Sequence, residues 1–547
     1  MPLSVPAIEV SGPKTWRARA SWLDEQWPVP GVAAPEAGAG GVRRQSRSAA
    51  ALAQRRRLAE ALVAYARSLS APSASLENAA ALADAGTLAL VTGQQVGVLL
   101  SPAYSLYKAV TAVLAAQRAQ QFLGRRVVPV FWMATEDHDY AEVATVRYWD
   151  RDDRIATLSL PDRAQGPSVG ALAVGESGCR LTDALLAGLP EGEARAAVSD
   201  WTRGTLGATA TLGDWFGRQL LALLGDRGLV VLDPMQPALR ELSSRIWSAA
   251  VARSDELRRA VERGAAEQSA AGLTPALEPV PGALHLFTYL GGNRVALFER
   301  EGTVRTRHGE LGWSRAELLR RIASYPSEFS ADVVLRPLTQ DGILPTLAQV
   351  VGPGELAYLS QLTHVYEMFG TQPPPRHPRL GFTVVPPRLE NRLGRLPEES
   401  AHRGDALREL LRQTMIAADG VDTRRVLNEL RQHLFASYET IMPQLARIDP
   451  QLSEFALGNR DRLLRQTVHL ERKAEQHQRR KHRDWIKEAE RLAEVLLPHG
   501  DLQERWLSPY SFLGRWGSEW LDALFAVPDT QGHYVMHLVG PEGLPEQ

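Results

Sequence analysis

Four short clusters of polar residues in this chain have the types and spacing to do chemistry. Thr92-Gly93-Gln94-Gln95-Val96-Gly97 closes an apolar run, and Ser101-Pro102 follows at the start of a helical pattern. Two glycines allow tight turns and close backbone approach. Ser101 can cap the helix and Pro102 suits its first turn, so free amides and the helix dipole would favour a phosphate or carboxylate. The same stretch also reads as a plain tight turn. Glu136-Asp137-His138-Asp139 sets three carboxylates around an imidazole. Like charges that close raise at least one carboxyl pKa, and Asp neighbours can orient His138 as a general base. The competing reading is an acidic helix start stabilised by the macrodipole. A divalent metal is conceivable, although adjacent residues cannot all converge on one ion, and no metal ligands are assigned. Arg336, with Gln340 and Asp341, offers a guanidinium able to clamp a carboxylate or phosphate, unless it is engaged by Asp341 or Glu355. Gly352-Pro353-Gly354-Glu355 opens another helix and is either a second anion seat or a rigid turn. Tyr104 and Lys108 share a helix face. Lys108 reads as a surface residue and Cys179 as an ordinary one.

These clusters need a scaffold that brings them together. The apolar runs at 88–91 and 127–132 flank a stretch of helical spacing that includes Tyr104, Tyr107, Val110, Val113 and Leu114, which makes one strand–helix–strand unit. A crossover helix joins parallel strands, so both polar clusters fall at the same carboxyl edge of the sheet, where open α/β sheets hold ligands. Further strands are expected at 229–232 (ending in Asp233-Pro234), at Val333-Val334-Leu335 and at 347–351. Together they give five strands of a doubly wound sheet. Segments 151–210 and 265–325 read as insertions, the second antiparallel with a hairpin turn at Gly291-Gly292. The expected order is a helical segment at 1–86 whose first 40 residues are irregular, core at 87–150, 211–264 and 326–397, a helical domain at 398–500, and a return to the core at 501–547.

In the helical domain, Leu427, Leu430, Leu434, Ser437, Ile441, Leu445 and Ile448 follow a 3–4 spacing that Asp449-Pro450 breaks. A second stripe runs through Leu463, Thr467, Leu470 and Ala474, then shifts by a stutter to Trp485, Ala489, Leu492 and Leu496. Two such helices joined at a proline read as an antiparallel coiled-coil arm, kinked at Pro443.

Composition narrows the field. The chain has 547 residues, 44% hydrophobic and 23% charged, with a formal net charge of −1, so no long-range attraction to nucleic acid or anionic lipid is expected. One cysteine excludes an internal disulfide and a cysteine-based zinc site. Residues 1–17 lack the pattern of a secretory signal, and no run approaches the length of a membrane span. A cytoplasmic protein is the expectation.

At these same residues the chain closely resembles the bacillithiol biosynthesis cysteine-adding enzymes, the cysteine ligase BshC family. The matching elements are Val91-Thr92-Gly93-Gln94-Gln95-Val96-Gly97, Pro129-Val130-Phe131-Trp132 with Glu136-Asp137-His138-Asp139, and Leu335-Arg336-Pro337 with Gln340-Asp341. Leu344-Pro345-Thr346, the run from Val351 through Gly352-Pro353-Gly354-Glu355 to Tyr358, and Gln503-Glu504-Arg505 also match, in order and at similar spacing. The resemblance implies a Rossmann-like core with two connecting insertions and a coiled-coil domain that forms a homodimer. It also implies ligation of L-cysteine to glucosaminyl-malate, the last step of bacillithiol synthesis. Such a fold is similar to class I cysteinyl-tRNA synthetases and to the cysteine ligase of mycothiol synthesis, and ATP as co-substrate follows from those cousins alone. The chain departs from them in lacking a His-x-Gly-His signature and a cysteine-rich zinc site. On this reading Gly93, Gln94 and Gln95 shape an anion pocket, Asp137 and His138 position or deprotonate the amine, and Arg336 holds a carboxylate. The rivals are a non-catalytic coiled-coil assembly protein that senses a nucleotide or sugar acid, and a nucleotide-sugar or nicotinamide enzyme, against which the missing dinucleotide fingerprint weighs.

Overall fold

The structure, a computed structural model, describes residues 8–10, 48–163, 166–207, 211–307, 309, 311–385, 419–483, 487, 494–527 and 533–537. The irregular segment expected early in the chain, apart from 8–10, lies outside these residues, as do the start of the arm before 419 and the stripe positions Trp485, Ala489 and Leu492. The chain forms two units, residues 1–385 with 503–547, and residues 386–502.

The first unit is built on five parallel strands, β1 (Leu88–Gln94), β2 (Val127–Met133), β3 (Val230–Leu232), β4 (Thr346–Val351) and β5 (Arg376–Pro378), in the order β5-β4-β1-β2-β3. Helix α1 (Tyr104–Leu123) crosses from β1 to β2. Every residue of β2 is buried, as a strand covered on both faces requires. Below one face lie Leu58, Leu62 and Leu82; over the other pack Ala112, Ala116 and Ala119 of α1. The strand order reverses between β1 and β4, which makes their carboxyl ends the topological switch point.

One expected strand is corrected. Val333-Val334-Leu335 is not in the sheet: Asp332 accepts hydrogen bonds from Val334 N and Leu335 N and starts helix α3 (Leu335–Ile343). The fifth strand is instead the short polar β5. Residues 8–10, expected to be irregular, form a strand antiparallel to His533–His537, which in turn runs parallel to Gly381–Val385.

Both insertions form. After β2, strands Thr145–Trp149 and Ile155–Ser159 pair antiparallel, and helices Gly175–Gly188 and Glu193–Gly207 follow. After β3 and helix α2 (Pro237–Ala252), an antiparallel sheet carries the hairpin of Ala283–Leu290 and Asn293–Arg300, turned at Gly291-Gly292. The end of the chain packs back on the core. Gln503 exchanges hydrogen bonds with both backbone groups of Val384, and buried Glu504 pairs with Arg379 and accepts from Phe382 N at 2.9 Å.

In the second unit, α4 (Thr423–Ile448) runs through Pro443 and Asp449-Pro450 turns the chain into α5 (Pro450–Lys481). Ion pairs Arg424–Glu475, Arg431–Glu471 and Glu439–Arg460 fall in opposite order on the two helices, so they are antiparallel. Only part of each expected stripe is covered. Leu427 and Thr467 are buried and Leu434, Leu445 and Ala474 are half-buried, whereas Leu430, Ile441, Ile448, Leu463 and Leu470 are exposed. Among the described residues of the whole chain, no helix is long and apolar enough to cross a membrane.

Candidate active site at the switch point

The Gly-Gln segment differs from the expected loop. Thr92, Gly93 and Gln94 belong to β1 itself, paired with Phe131, Trp132 and Met133. Thr92 Oγ1 is buried and donates to Val350 O, a structural tie. A Cβ at position 93 would stand 2.8 Å from Trp132 O, and one at Gly97 only 1.8 Å from Ser101 O, so both glycines answer to close packing. Nor does Ser101 cap α1. It ends a short turn at 98–100 in which Leu99 and Leu100 are left-handed (φ 51° and 54°), a strained pair for non-glycine residues. The chain's end holds this turn in place: Ser508 Oγ donates to Leu99 O at 2.8 Å, and Ala103 N donates to Leu507 O at 2.7 Å. The expected cradle of free amides is therefore replaced by side chains.

Those side chains form a continuous chain of contacts across the switch point. Lys108 of α1, expected on the surface, is only 2% exposed; its Nζ donates to Gly93 O at 2.7 Å and Gln94 Oε1 at 2.8 Å, and forms an ion pair with Glu355. Burial pushes the Lys108 pKa down, against the pull of Glu355. Glu355 stands in the first turn of the helix Pro353–Ser360 and accepts from Gly352 N at 3.0 Å. The second expected anion seat is thus filled by a carboxylate of the chain itself; Gly354 is exposed beside it. Gln94 Nε2 donates to the Tyr104 hydroxyl at 3.1 Å, and burial pushes that phenol up to about 12. Gln95 Nε2 reaches Asp137 Oδ2 and Glu142 Oε2, both at 2.7 Å.

The Glu-Asp-His-Asp turn splits into separate duties. Glu136 is buried and ion-paired with Arg240 of α2, so its carboxylate is structural and not the acid or base expected there. Asp137 accepts from its own turn, His138 N at 2.7 Å and Asp139 N at 3.4 Å, and keeps its second oxygen for Gln95. Asp139 is exposed at the start of a helix of one turn. His138 is half-buried, its ring 5.7 Å from that of Phe287, and its Nδ1 lies 3.3 Å from Nη1 of Arg294. Burial first, and Arg294 second, lower its pKa, opposed by Asp137 and Asp139. These two causes bias the imidazole toward its neutral form. Beneath the turn, Thr135 Oγ1 donates to buried Asp233, whose pKa burial raises.

Arg336 lies on α3 rather than after a strand. Its guanidinium donates to the Tyr358 hydroxyl at 2.7 Å and to Gln340 Oε1 at 3.3 Å, and among the described residues no carboxylate lies within ion-pair distance. Glu355 pairs with Lys108 and acts on Arg336 only at longer range, where with Tyr358 it holds the guanidinium charged against its burial. Asp341 is held by Gln340, by Gln349 at 2.9 Å and by the Tyr366 hydroxyl at 2.6 Å. Among the described residues Arg376 of β5 likewise has only neutral hydrogen-bond partners, among them Gln349 Oε1 at 2.6 Å and Pro374 O at 3.0 Å. Segments 93–95, 137, 336 and 355 do gather at one edge, and among the described residues Arg336, Arg376 and Arg294 there have no carboxylate within ion-pair distance. Lys108, Tyr358, Arg376 and Arg294 were missed as site residues. Tyr358 stood inside a matching motif, but nothing local marks the burial of Lys108 or the approach of Arg294 from the second insertion.

A wide cavity of about 790 Å³ opens at the opposite, amino-terminal edge, lined by Asn78, Gln117, Gln120, Arg125 and Arg126 among others. It holds none of the candidate residues, and the chemistry is placed at the carboxyl edge, where the unpaired cations and the Asp137–His138 turn meet. Among the described residues, no cluster of three or more His, Cys, Asp or Glu could hold a metal ion.

Comparison with known proteins agrees with this architecture. Residues 40–380 match the family model described as the N-terminal Rossmann-like domain of bacillithiol biosynthesis BshC, and residues 382–538 match its C-terminal coiled-coil domain. A protein of Symbiobacterium thermophilum is 34% identical over 480 residues, covering 84% of this chain and 85% of its own. One from Heliobacterium modesticaldum is 33% identical over 457 residues, 83% of each chain. A third, from Bacillus cytotoxicus, is 29% identical over 473 residues, 86% of this chain and 87% of its own. All three carry the name "Putative cysteine ligase BshC".

Proposed function

This chain belongs to the bacillithiol biosynthesis BshC family, and from that premise we propose that it is a cysteine ligase joining the carboxyl of L-cysteine to the amine of glucosaminyl-malate. The observation that carries the reading is Arg336, a guanidinium at the switch point with no carboxylate within ion-pair distance among the described residues. Such a charge is completed by an anionic ligand. An amine attacks a free carboxylate poorly, so the cysteine carboxyl must first be activated, and ATP is the proposed donor of the activating group. Arg336 and Arg376 suit a polyanion by charge, while among the described residues the cradle of backbone amides seen in P-loops is absent.

The geometry supports the following residue roles. Gln94 and Gln95, fixed by Tyr104, Lys108 and Asp137, set the floor of the pocket beside Gly93. Asp137 holds the amino group, and neutral His138 is the neighbour able to take its proton. The nitrogen lone pair forms the new C–N bond as one carboxyl oxygen leaves with the activating group. We further propose a homodimer formed through the arm, on which Leu463 and Leu470 are exposed.

The test is to incubate purified protein with ATP, L-cysteine and glucosaminyl-malate and to detect the amide by mass. Tight binding of these ligands without turnover would favour the sensor reading instead. Full activity of His138→Ala and Asp137→Ala would overturn the assigned roles.

A further inference from the structure

One cation at the site has no duty in that scheme. Arg294, on the strand Asn293–Arg300, is half-buried and elaborately held: Nε donates to Ser330 Oγ at 2.9 Å, Nη2 to Ala331 O at 2.6 Å, and the guanidinium carbon lies 3.8 Å from the centre of the Phe287 ring. Its remaining nitrogen, Nη1, points at His138 Nδ1. All of these partners are neutral, and no carboxylate lies within ion-pair distance among the described residues. The contact occupies the Nδ1 lone pair only until an anion takes Arg294 Nη1, which frees that lone pair to accept a proton. A fixed, partly desolvated guanidinium without a counter-charge is a poor way to stabilise a protein and a good way to bind an anion.

We propose that Arg294 anchors a carboxylate of the malate half of the acceptor, so that the second insertion reads the acid while the core turn meets the amine. The inference rests on the ligase reading and names how its acceptor is recognised. In a glucosaminide the amine and the glycosidic oxygen sit on neighbouring ring carbons. A group that holds the aglycone carboxylate must therefore lie beside the group that meets the amine, and Arg294 and His138 are 3.3 Å apart. Arg336, across the switch point, is left for the cysteine carboxyl or the activating donor.

The experiment is calorimetric binding of glucosaminyl-malate and of methyl glucosaminide, which has no carboxylate, to the full chain and to Arg294→Gln. The wild type is expected to prefer the malate-bearing ligand by about ten-fold or more. The variant should lose about 10- to 100-fold in affinity for glucosaminyl-malate, as expected for a charge-assisted contact, and less than two-fold or so for the neutral sugar. Arg294→Lys keeps the charge without the planar fork and should show an intermediate preference, which also serves if Arg294→Gln does not fold. Equal weakening of both ligands would assign Arg294 a structural role and overturn the proposal, as would no change in preference or no binding by the wild type. Selective loss in a protein that forms no amide would uphold the anchor and overturn the ligase reading. Amide formation with an unchanged KM for glucosaminyl-malate in the variant would do the reverse.

Discussion

Lys108 and Glu355 form a buried ion pair that ties the end of β1 to the helix after β4, directly across the point where the strand order reverses. Neither residue belongs to the same strand–helix unit, so the pair sets the width of the crevice. Removing one partner strands the other. Lys108→Met leaves Glu355 with a single amide donor and leaves Gly93 O and Gln94 Oε1 without their ammonium. The expected cost is about 3–5 kcal/mol in urea unfolding of the first unit. Lys108→Met combined with Glu355→Gln should recover part of that loss, since no unpaired charge remains. A double variant no more stable than Lys108→Met would show that the pair is not the source of the stability.

Arg336 is expected to behave in the opposite way. Among the described residues its guanidinium is bound only by Tyr358 and Gln340, so Arg336→Gln gives up two hydrogen bonds but also removes a buried charge that no carboxylate pairs with directly. Melting temperature should stay within a few degrees of wild type or rise, while amide formation falls by about 100-fold, roughly 3 kcal/mol of lost binding to the reacting complex. A site held ready for an anion sacrifices stability for function in this sense. A strongly destabilised variant would mark Arg336 as structural.

What the sequence made legible follows the range of each signal. The runs at β1 and β2 are apolar enough, and their crossover long enough, to fix a parallel pair and its polar edge. Val333-Val334-Leu335 misled because a short apolar run cannot separate a strand from the start of a buried helix; the evidence for a helix was Asp332 as a cap and Pro337 in the first turn. β5 could not be read at all, since Arg376-His377-Pro378 is polar and follows a run of prolines. At the site, the motifs pointed to the correct edge but not to which side chains are engaged. Glu136 looked as available as Asp137 until Arg240, about a hundred residues distant, took it. Pairings of that kind are tertiary, and no local pattern records them.

His138 gives a pH signature. Burial and Arg294 hold its pKa below the ordinary 6.5, so the folded chain releases a proton that the unfolded chain keeps. The stability contributed by this site is therefore present above pH 6.5 and is lost as the pH falls through the lower folded value. Arg294→Gln removes one of the two depressing causes and should raise the His138 pKa. Titration of histidine-labelled protein by NMR, with His138→Gln to identify the resonance, reads both values. A wild-type pKa at or above 6.5 would contradict the neutral imidazole on which its role as proton acceptor depends.

The arm makes the last prediction. Within the hairpin α4 and α5 cover only one side of each other, and apolar side chains of both helices are left in water: Ile448 is 76% exposed, Phe455 73% and Leu470 54%. If the hairpin worked alone, Leu463→Ser with Leu470→Ser would change little, since exposed substitutions away from packing shift stability by about 0.5 kcal/mol or less. If a second copy covers those leucines, each loses the burial of a large side chain, about 1.5–3 kcal/mol, and the loss appears as dissociation. Sedimentation equilibrium should find a dimer for the full chain and a monomer both for the double variant and for a chain lacking residues 401–500. An unchanged dimer in the variant would move the interface elsewhere and leave the apolar arm to another partner.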